Sequence, residues 1–290
     1  MPFTLLNSER AFTLMGVLNV TPDSFSDGGR FLDPGAAIEH GLRLRAEGAD
    51  WVDVGGESTR PGSEDVPASE QIRRVVPVVQ ELAKQSVPVS IDARVAAVAE
   101  AALDAGATLV NDISALSDPA MAPLVARRGA FLLQMHMLGT PKTMQKSPAY
   151  SDVLGEVRAF LVARLEYAER EGIPRERLAA DPGIGFGKQL RHNLTLLTRL
   201  DEFAALGVPI AVGLSRKSFL GALTGREAPH ERLAASLAAA VLAFRRGARI
   251  FRVHDVAATR DALRVAEALQ RHESGSSDGF AGEGPRGASG

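Results

Sequence analysis

Short apolar runs recur along the chain. Each is followed by a polar, turn-rich stretch and then by a longer segment with apolar positions at helical spacing. The first run, Phe12 to Asn19, has no polar alternation until its end, the mark of a strand buried on both faces as in a parallel sheet. The same unit then repeats. Strands are expected at about 12–19, Trp51–Val54, Val87–Ile91, Thr108–Val110, Ala130–Met135, Leu178–Ala180, Pro209–Gly213 and Arg249–Val253. Helices are expected at about Pro34–Glu47, Ser69–Lys84, Val95–Ala105, Pro119–Arg128, Asp152–Glu171, His192–Leu206, Pro229–Arg246 and Ala257–Arg271. Gly48, Gly106 and Gly129 sit where helices should stop. Phe3–Leu6 reads as a short leading strand, and Pro77 predicts a kink or break inside its helix.

Eight strand–helix units in alternation predict an α/β fold, a single closed (β/α)8 TIM barrel over residues 1–272. The length of 290 residues suits such a barrel, which typically needs about 250. An open doubly wound sheet is the alternative. It is disfavoured because no dinucleotide fingerprint is present and a ring of eight leaves no strand unpaired. Residues 273–290 are rich in Gly and Ser and are expected to form a disordered C-terminal tail.

Composition narrows the function classes. Hydrophobic residues make up 45% and charged residues 23%, and the net charge of -2 favours neither nucleic acid nor a membrane surface. There is no cysteine, so disulfides, thiolate metal sites and a cysteine nucleophile are excluded. With no apolar run of about 18 residues and no signal-like N-terminus, a cytoplasmic enzyme is the expectation. Of the 33 basic residues, only Lys84, Lys142, Lys146, Lys188 and Lys217 are lysines. A lysine in a site-like position here marks either a compact ammonium or chance codon usage.

Polar residues gather where the strands end, the face on which barrel enzymes bind their ligands. They are Asn19, Asp53 with Glu57 to Arg60, Asp92, Asn111 with Asp112, His136, Asp181, Ser215 to Ser218, and Arg252 with His254. Any one of them could simply cap the next helix; eight in series point to a shared mouth. Asp92, Asn111 and Asp181 offer acceptors that suit a ring edge carrying adjacent N–H donors. Arg60, Arg252, His254 and the loop amides near Asn19 suit a phosphate or pyrophosphate. Lys217 and Ser218, where a short helix could begin, form a second candidate anion site of carboxylate size. Such a layout suits displacement of an anionic leaving group. No Ser-His-Asp signature and no three-His zinc set is present. The glycines in Asp181-Pro-Gly-Ile-Gly-Phe-Gly-Lys188 read as allowing backbone to approach a flat ligand.

These segments resemble the dihydropteroate synthases. The resemblance is carried by Gly16–Gly29, Asp53–Gly62, Ile91-Asp92, Asn111–Ile113, Met135–Met137 with Gly139-Thr-Pro141, Asp181–Lys188, Gly213–Ser218 and Arg252–Asp255, in the family's order over about residues 12–270. It implies condensation of 6-hydroxymethyl-7,8-dihydropterin diphosphate with 4-aminobenzoate, giving 7,8-dihydropteroate and pyrophosphate for folate synthesis. It implies a pterin site of Asp92, Asn111, Met135, Asp181 and Lys217, and a diphosphate site of Asn19, Arg60, Arg252 and His254. Asn19 would ligate a Mg²⁺ cofactor. Thr59, Arg60, Pro61, Phe186, Lys217 and Ser218 would shape the aminobenzoate pocket, and Asp92, Lys217 and Arg252 would carry the catalysis. The loops Thr21–Asp33 and Glu57–Pro67 would fold over the mouth, with Gly28-Gly29 and Pro61-Gly62 as hinges. A homodimer, packed through a helix face such as Leu233, Leu237 and Val241, and competition by sulfonamides are also implied.

One position departs from the family pattern. Ala93 follows the third strand's Asp where Thr is usual, removing a hydroxyl that could steady Asp92 or cap the next helix, a loss of about 1 kcal/mol. Two alternatives remain at this stage: a non-catalytic synthase-like pterin-binding paralogue, and a pterin-dependent methyltransferase on the same fold.

Overall fold

The structure is a computed structural model that describes residues 5–7, 9–21, 33–59 and 62–274. Its strands are β1 (Thr13–Asn19), β2 (Trp51–Gly55), β3 (Val89–Asp92), β4 (Leu109–Asp112), β5 (Phe131–Met135), β6 (Leu178–Asp181), β7 (Ile210–Val212) and β8 (Ala248–Val253). All pair in parallel, each with the next, and β8 closes on β1 through Met15 opposite Arg252. The helices are α1 (Pro34–Ala46), α2 (Ala68–Lys84), α3 (Ala96–Asp104), α4 (Met121–Arg128), α5 (Val153–Arg170), α6 (Leu190–Thr198), α7 (Ser218–Thr224), α8 (Leu233–Arg245) and α9 (Val256–Glu273). The expected (β/α)8 barrel is therefore present, and of the expected tail residues 275–290 lie outside the described residues.

Alternation along the strands explains where the site sits. Met15, Trp51, Leu109, Leu133, Ala179, Ala211 and Ile250, one from nearly every strand, form a cluster of their own inside the ring. Their strand neighbours Leu14, Val52, Val110, Leu132, Ala180, Val212 and Phe251 pack outward into the larger core shared with the helices. Full burial of each large apolar side chain stabilises by roughly 1.5–3 kcal/mol, which holds both faces of every strand in place. Two residues beyond the interior cluster, still facing inward, come Asp53, Asn111, Met135, Asp181 and Arg252. The barrel thus has an apolar floor and a polar layer directly above it.

Four expectations change. No strand forms at Leu5 and Leu6, while Phe3 lies outside the described residues. Leu5 is instead buried in the interior cluster and plugs the floor. α2 runs through Pro77 as one helix. Pro77 and Arg73 lie on the exposed face, so the Arg73 carbonyl that the proline cannot bond is on the solvent side of the helix. The expected helix over His192–Leu206 ends as α6 at Thr198 and continues as a 3-10 turn over Leu200–Leu206. Thr195 and Thr198 bond back to the carbonyls of Arg191 and Leu194, 2.9 Å each, competing with the helix ladder. The expected helix over Pro229–Arg246 starts with a 3-10 turn, Pro229–Arg232, before α8.

Candidate active site

Arg252, on β8, is the centre of the mouth. Its Nε donates to Asp53 Oδ2 at 2.6 Å and its Nη2 to Asp92 Oδ2 at 2.8 Å. Asn111 Nδ2 donates to the same Asp53 oxygen at 3.1 Å. Asp53 is fully buried and its other oxygen, Oδ1, has no partner among the described residues. The guanidinium therefore ties together the inward polar residues of β2, β3 and β8, with β4 joined through Asn111. Asn19 closes the ring next to Asp92: a side chain at Gly55, between them, would lie 3.7 Å from Asn19 Oδ1 and 3.5 Å from Asp92 Cβ.

Burial governs the charges here. It pushes Asp92 up to about 7, with Arg252 opposing and Asp53 adding to the shift. It pushes Asp181 up to about 6, opposed by the Gly183 N–H and by Lys217, Lys188 and Arg252. Lys217 is lowered to about 8 by burial, against the pull of Asp181. Arg252 also meets a burial penalty, yet Asp53 and Asp92 hold its guanidinium charged, above its ordinary value. Groups shifted toward neutrality act on one another electrostatically here, a frequent property of catalytic clefts.

The opposite wall is the loop after β6. Gly183 N donates to Asp181 Oδ1 at 2.6 Å, Asn193 Oδ1 accepts from Gly185 N at 2.8 Å, and Tyr150 Oη donates to Gly187 O at 2.9 Å. Lys217 immediately precedes α7, a short helix at the place the sequence marked, and its Nζ lies 3.9 Å above the centre of the Phe186 ring. Two of the glycines answer to a neighbour within the chain. Gly183 has φ +69°, and a Cβ there would sit 1.8 Å from His136 O; at Gly187 it would sit 2.5 Å from Leu138 O. What needs Gly183 and Gly187 is the close seating of this loop on the chain that leaves β5.

The expected residues fall into three groups. Asn19, Asp92, Asn111, Asp181, Lys217 and Arg252 share the mouth, linked by the contacts and fields above. Met135, inward at the end of β5, is buried, and Phe186 is half-buried beneath Lys217. His254 lies one step past β8, its Nδ1 3.1 Å from Ser215 Oγ. Thr59 is half-buried after β2, and Ser218 is exposed at the start of α7. Arg60 and Pro61 lie outside the described residues, as do 22–32 of the first expected loop.

Two strand-end carboxylates turn out to serve the scaffold. Asp112 accepts from Ser114 N, Ser114 Oγ and Leu116 N, closing its own turn. Glu57 accepts from Val66 N at 2.8 Å and from Arg94 at 2.6 Å. The helix cap expected to be lost at Ala93 is replaced from elsewhere: Asp118 Oδ2 accepts from Ala96 N, the first N–H of α3, at 2.8 Å. Sequence reading gave no role to Asp53 beyond its place at a strand end. The signal was there, since Asp53 is the one charged residue within an apolar strand and shares the inward parity of Trp51.

Comparison with known proteins agrees with this site. The pterin-binding enzyme family profile matches residues 15–254. A dihydropteroate synthase of Mycobacterium leprae is 50% identical over 262 residues, 88% of this chain and 92% of its own length. A probable bifunctional folylpolyglutamate synthase/dihydropteroate synthase of Haloferax volcanii is 49% identical over 253 residues, 87% of this chain and 30% of that longer protein. The solved structure of Xanthomonas albilineans dihydropteroate synthase with 4-aminobenzoic acid is 50% identical, with a TM-score of 0.84 over 89% of this chain and 93% of that one. A match of this extent, with the polar layer in place on a closed barrel, places the chain in the pterin-binding enzyme family, among the dihydropteroate synthases.

Proposed function

We propose that the chain joins 6-hydroxymethyl-7,8-dihydropterin diphosphate to 4-aminobenzoate, releasing pyrophosphate and giving 7,8-dihydropteroate. The observation that carries this reading is the carboxylate-and-amide layer above the barrel floor, in a chain half identical to synthases that span nearly all of it. Asp92, Asn111, Asp181 and Lys217 hold the donor-rich pterin edge, with Met135 against the ring. Arg252, His254 and Arg60 serve the diphosphate. Arg252 already spends two nitrogens on Asp53 and Asp92, and a guanidinium carries further N–H donors for an anion. Thr59, Arg60, Pro61, Phe186, Lys217 and Ser218 shape the aminobenzoate pocket.

The residues present suit Mg²⁺. Among the described residues no three His, Asp or Glu side chains gather into an all-protein cage. Mg²⁺ in phosphate sites commonly takes one or two protein oxygens, with substrate phosphates and water completing its shell, and Asn19 Oδ1 at the end of β1 offers such an oxygen. When bound, the ion neutralises charge that develops on the departing diphosphate. Loss of that group leaves positive charge on the methylene and the ring, and Asp92 stabilises it best when ionised. The arylamine is a weak nucleophile, so Phe186 and Lys217 act by placing it rather than by activating it.

The chain also acts as a homodimer in this proposal. Leu242 on α8 and Val265 and Leu269 on α9 are 66%, 63% and 57% exposed, an apolar face on neighbouring helices away from the mouth. Leu237 and Val241 of the expected stripe are half-buried beside it. No helix among the described residues is long and apolar enough to cross a membrane, which fits a cytoplasmic setting.

The test is pyrophosphate release by purified protein with Mg²⁺ and the dihydropterin diphosphate, with and without 4-aminobenzoate. Release that needs both and is blocked by a sulfonamide is the expected result. Tight pterin binding without release would point to a non-catalytic paralogue, and transfer of a methyl group to a methyltransferase.

A further inference from the structure

Lys188 ends the loop after β6 and is 3% exposed, closed off from the mouth. Its Nζ lies 2.9 Å from His136 Nδ1, 3.0 Å from Phe186 O and 3.4 Å from His136 O. An ammonium carries three N–H donors and no acceptor, and three acceptors surround this one. None of them is a carboxylate. Burying a cation among neutral partners is costly, and burial lowers Lys188 to about 7 against the pull of Asp181, so its charge near neutral pH rests on that carboxylate. Asp181 is the anion that faces it.

The surrounding geometry links that charge to the site. Lys188 reaches back to the carbonyl of Phe186, two residues earlier, and the Phe186 ring lies 3.9 Å from Lys217 Nζ. Gly183, whose N–H donates to Asp181, is so close that a Cβ there would sit 3.3 Å from Lys188 Nζ. Ammonium, loop turn and the end of β5 form one packed layer behind two subsites. We propose that Lys188 is a positioning residue of the synthase site: its buried ammonium, held between His136 and the Phe186 carbonyl, keeps Phe186 beneath Lys217 and sets a positive charge behind Asp181.

This rests on the functional reading above. The charged and titratable groups around Lys188 are His136 just after β5, Asp181 from β6, Lys217 before α7, Tyr150 and Glu156 across the aromatic layer, Arg191 and His192 from α6, and Arg252 from β8. Burial and the lysine's charge lower His136 to about 3, so it stays neutral and accepts. Asp181 accepts from adjacent ring N–H groups with both oxygens only when ionised. Removing the cation behind it raises its pKa further, so the acid limb of activity moves to higher pH.

Two variants separate clamp from charge. Lys188→Met keeps the aliphatic stem and removes donors and charge; Lys188→Gln keeps a donor for the Phe186 carbonyl without charge. With K188M, the acid limb of kcat/KM for the pterin diphosphate, set by Asp92 and Asp181 together, should steepen and move to higher pH by about half a unit, and KM for 4-aminobenzoate should rise about tenfold. K188Q should keep the displaced limb and bring the aminobenzoate KM back to within about threefold of wild type. An unmoved acid limb in both variants overturns the charge role, and an unmoved aminobenzoate KM in folded K188M overturns the clamp. If K188M does not fold, K188Q decides the proposal by its acid limb alone. Absence of turnover by the wild-type protein would instead defeat the functional reading. Calorimetric titration with the pterin diphosphate across pH would then read the same limb, a shift in K188Q supporting the role of Lys188 and none overturning it.

Discussion

Arg252 on β8 and Asp53 on β2 are 199 positions apart in sequence and 2.6 Å apart in the barrel, and Asp53 gives that same oxygen to Asn111. Asp53 is thus the buried post against which a cation and an amide of the mouth are aligned. Asp53→Asn keeps the shape and drops the charge, leaving Arg252 with one carboxylate. We expect kcat/KM to fall roughly ten- to a hundredfold, or about 1.4–2.8 kcal/mol. Asp53→Ala should also lower stability by about 3 kcal/mol, because Arg252 and Asn111 both lose their buried acceptor, measured by denaturant unfolding. Wild-type kinetics in D53N would show that Asp92 alone suffices to place the guanidinium.

The pH dependence follows from burial. Asp181 and Asp92, raised to about 6 and about 7, lose their acceptor role as pH falls through those values. Lys217, lowered to about 8, loses its proton as pH rises through that value. The profile of kcat/KM should therefore be bell-shaped, highest between about 7 and 8. A rate that is flat from about pH 5 to 9 would contradict these assignments.

Ala93 offers a direct comparison. Asp118 already caps α3, so Ala93→Thr should change kcat/KM by less than about tenfold and stability by under about 1 kcal/mol. Asp118→Ala should destabilise by about 1 kcal/mol, because Ala96 N then loses its partner. Thermal unfolding of the two variants side by side reads both effects.

The apolar face of α8 and α9 predicts an assembly defect. Leu242→Glu places a charge at the most exposed apolar residue of these helices, where burial in a dimer would be unfavourable. Sedimentation should show a dimer for the wild type and a monomer for L242E, with far-ultraviolet circular dichroism unchanged. A wild-type monomer at micromolar concentration would remove the dimer from the proposal.

Much of this was legible in the sequence, and particular residues show why the rest was not. Strand number, order and closure follow from apolar runs such as Val17-Leu18 and Val52, which are buried on both faces and so carry no polar alternation. The mouth residues Asp92, Asn111 and Asp181 stand at strand ends and were visible there. What escaped depended on contacts between distant segments. Asp118 capping α3, Leu5 plugging the floor and Lys188 under Phe186 join positions whose pairing no local pattern encodes. Pro77 misled because its effect depends on which side of the helix meets water.

The split between an interior cluster and a helix-facing core has a consequence for how the chain can change. On β8, Ile250 belongs to the floor, Arg252 to the mouth, and Phe251 to the outer core. Deleting one residue within that strand would turn Arg252 toward the helices and Phe251 toward the substrates, so a single slip would remove activity and stability together. Residues added between strand and helix leave this parity untouched. The barrel thus stores the address of each reactive group as an odd or even count along a strand, and insertions can accumulate in the lineage only where that count is not being kept.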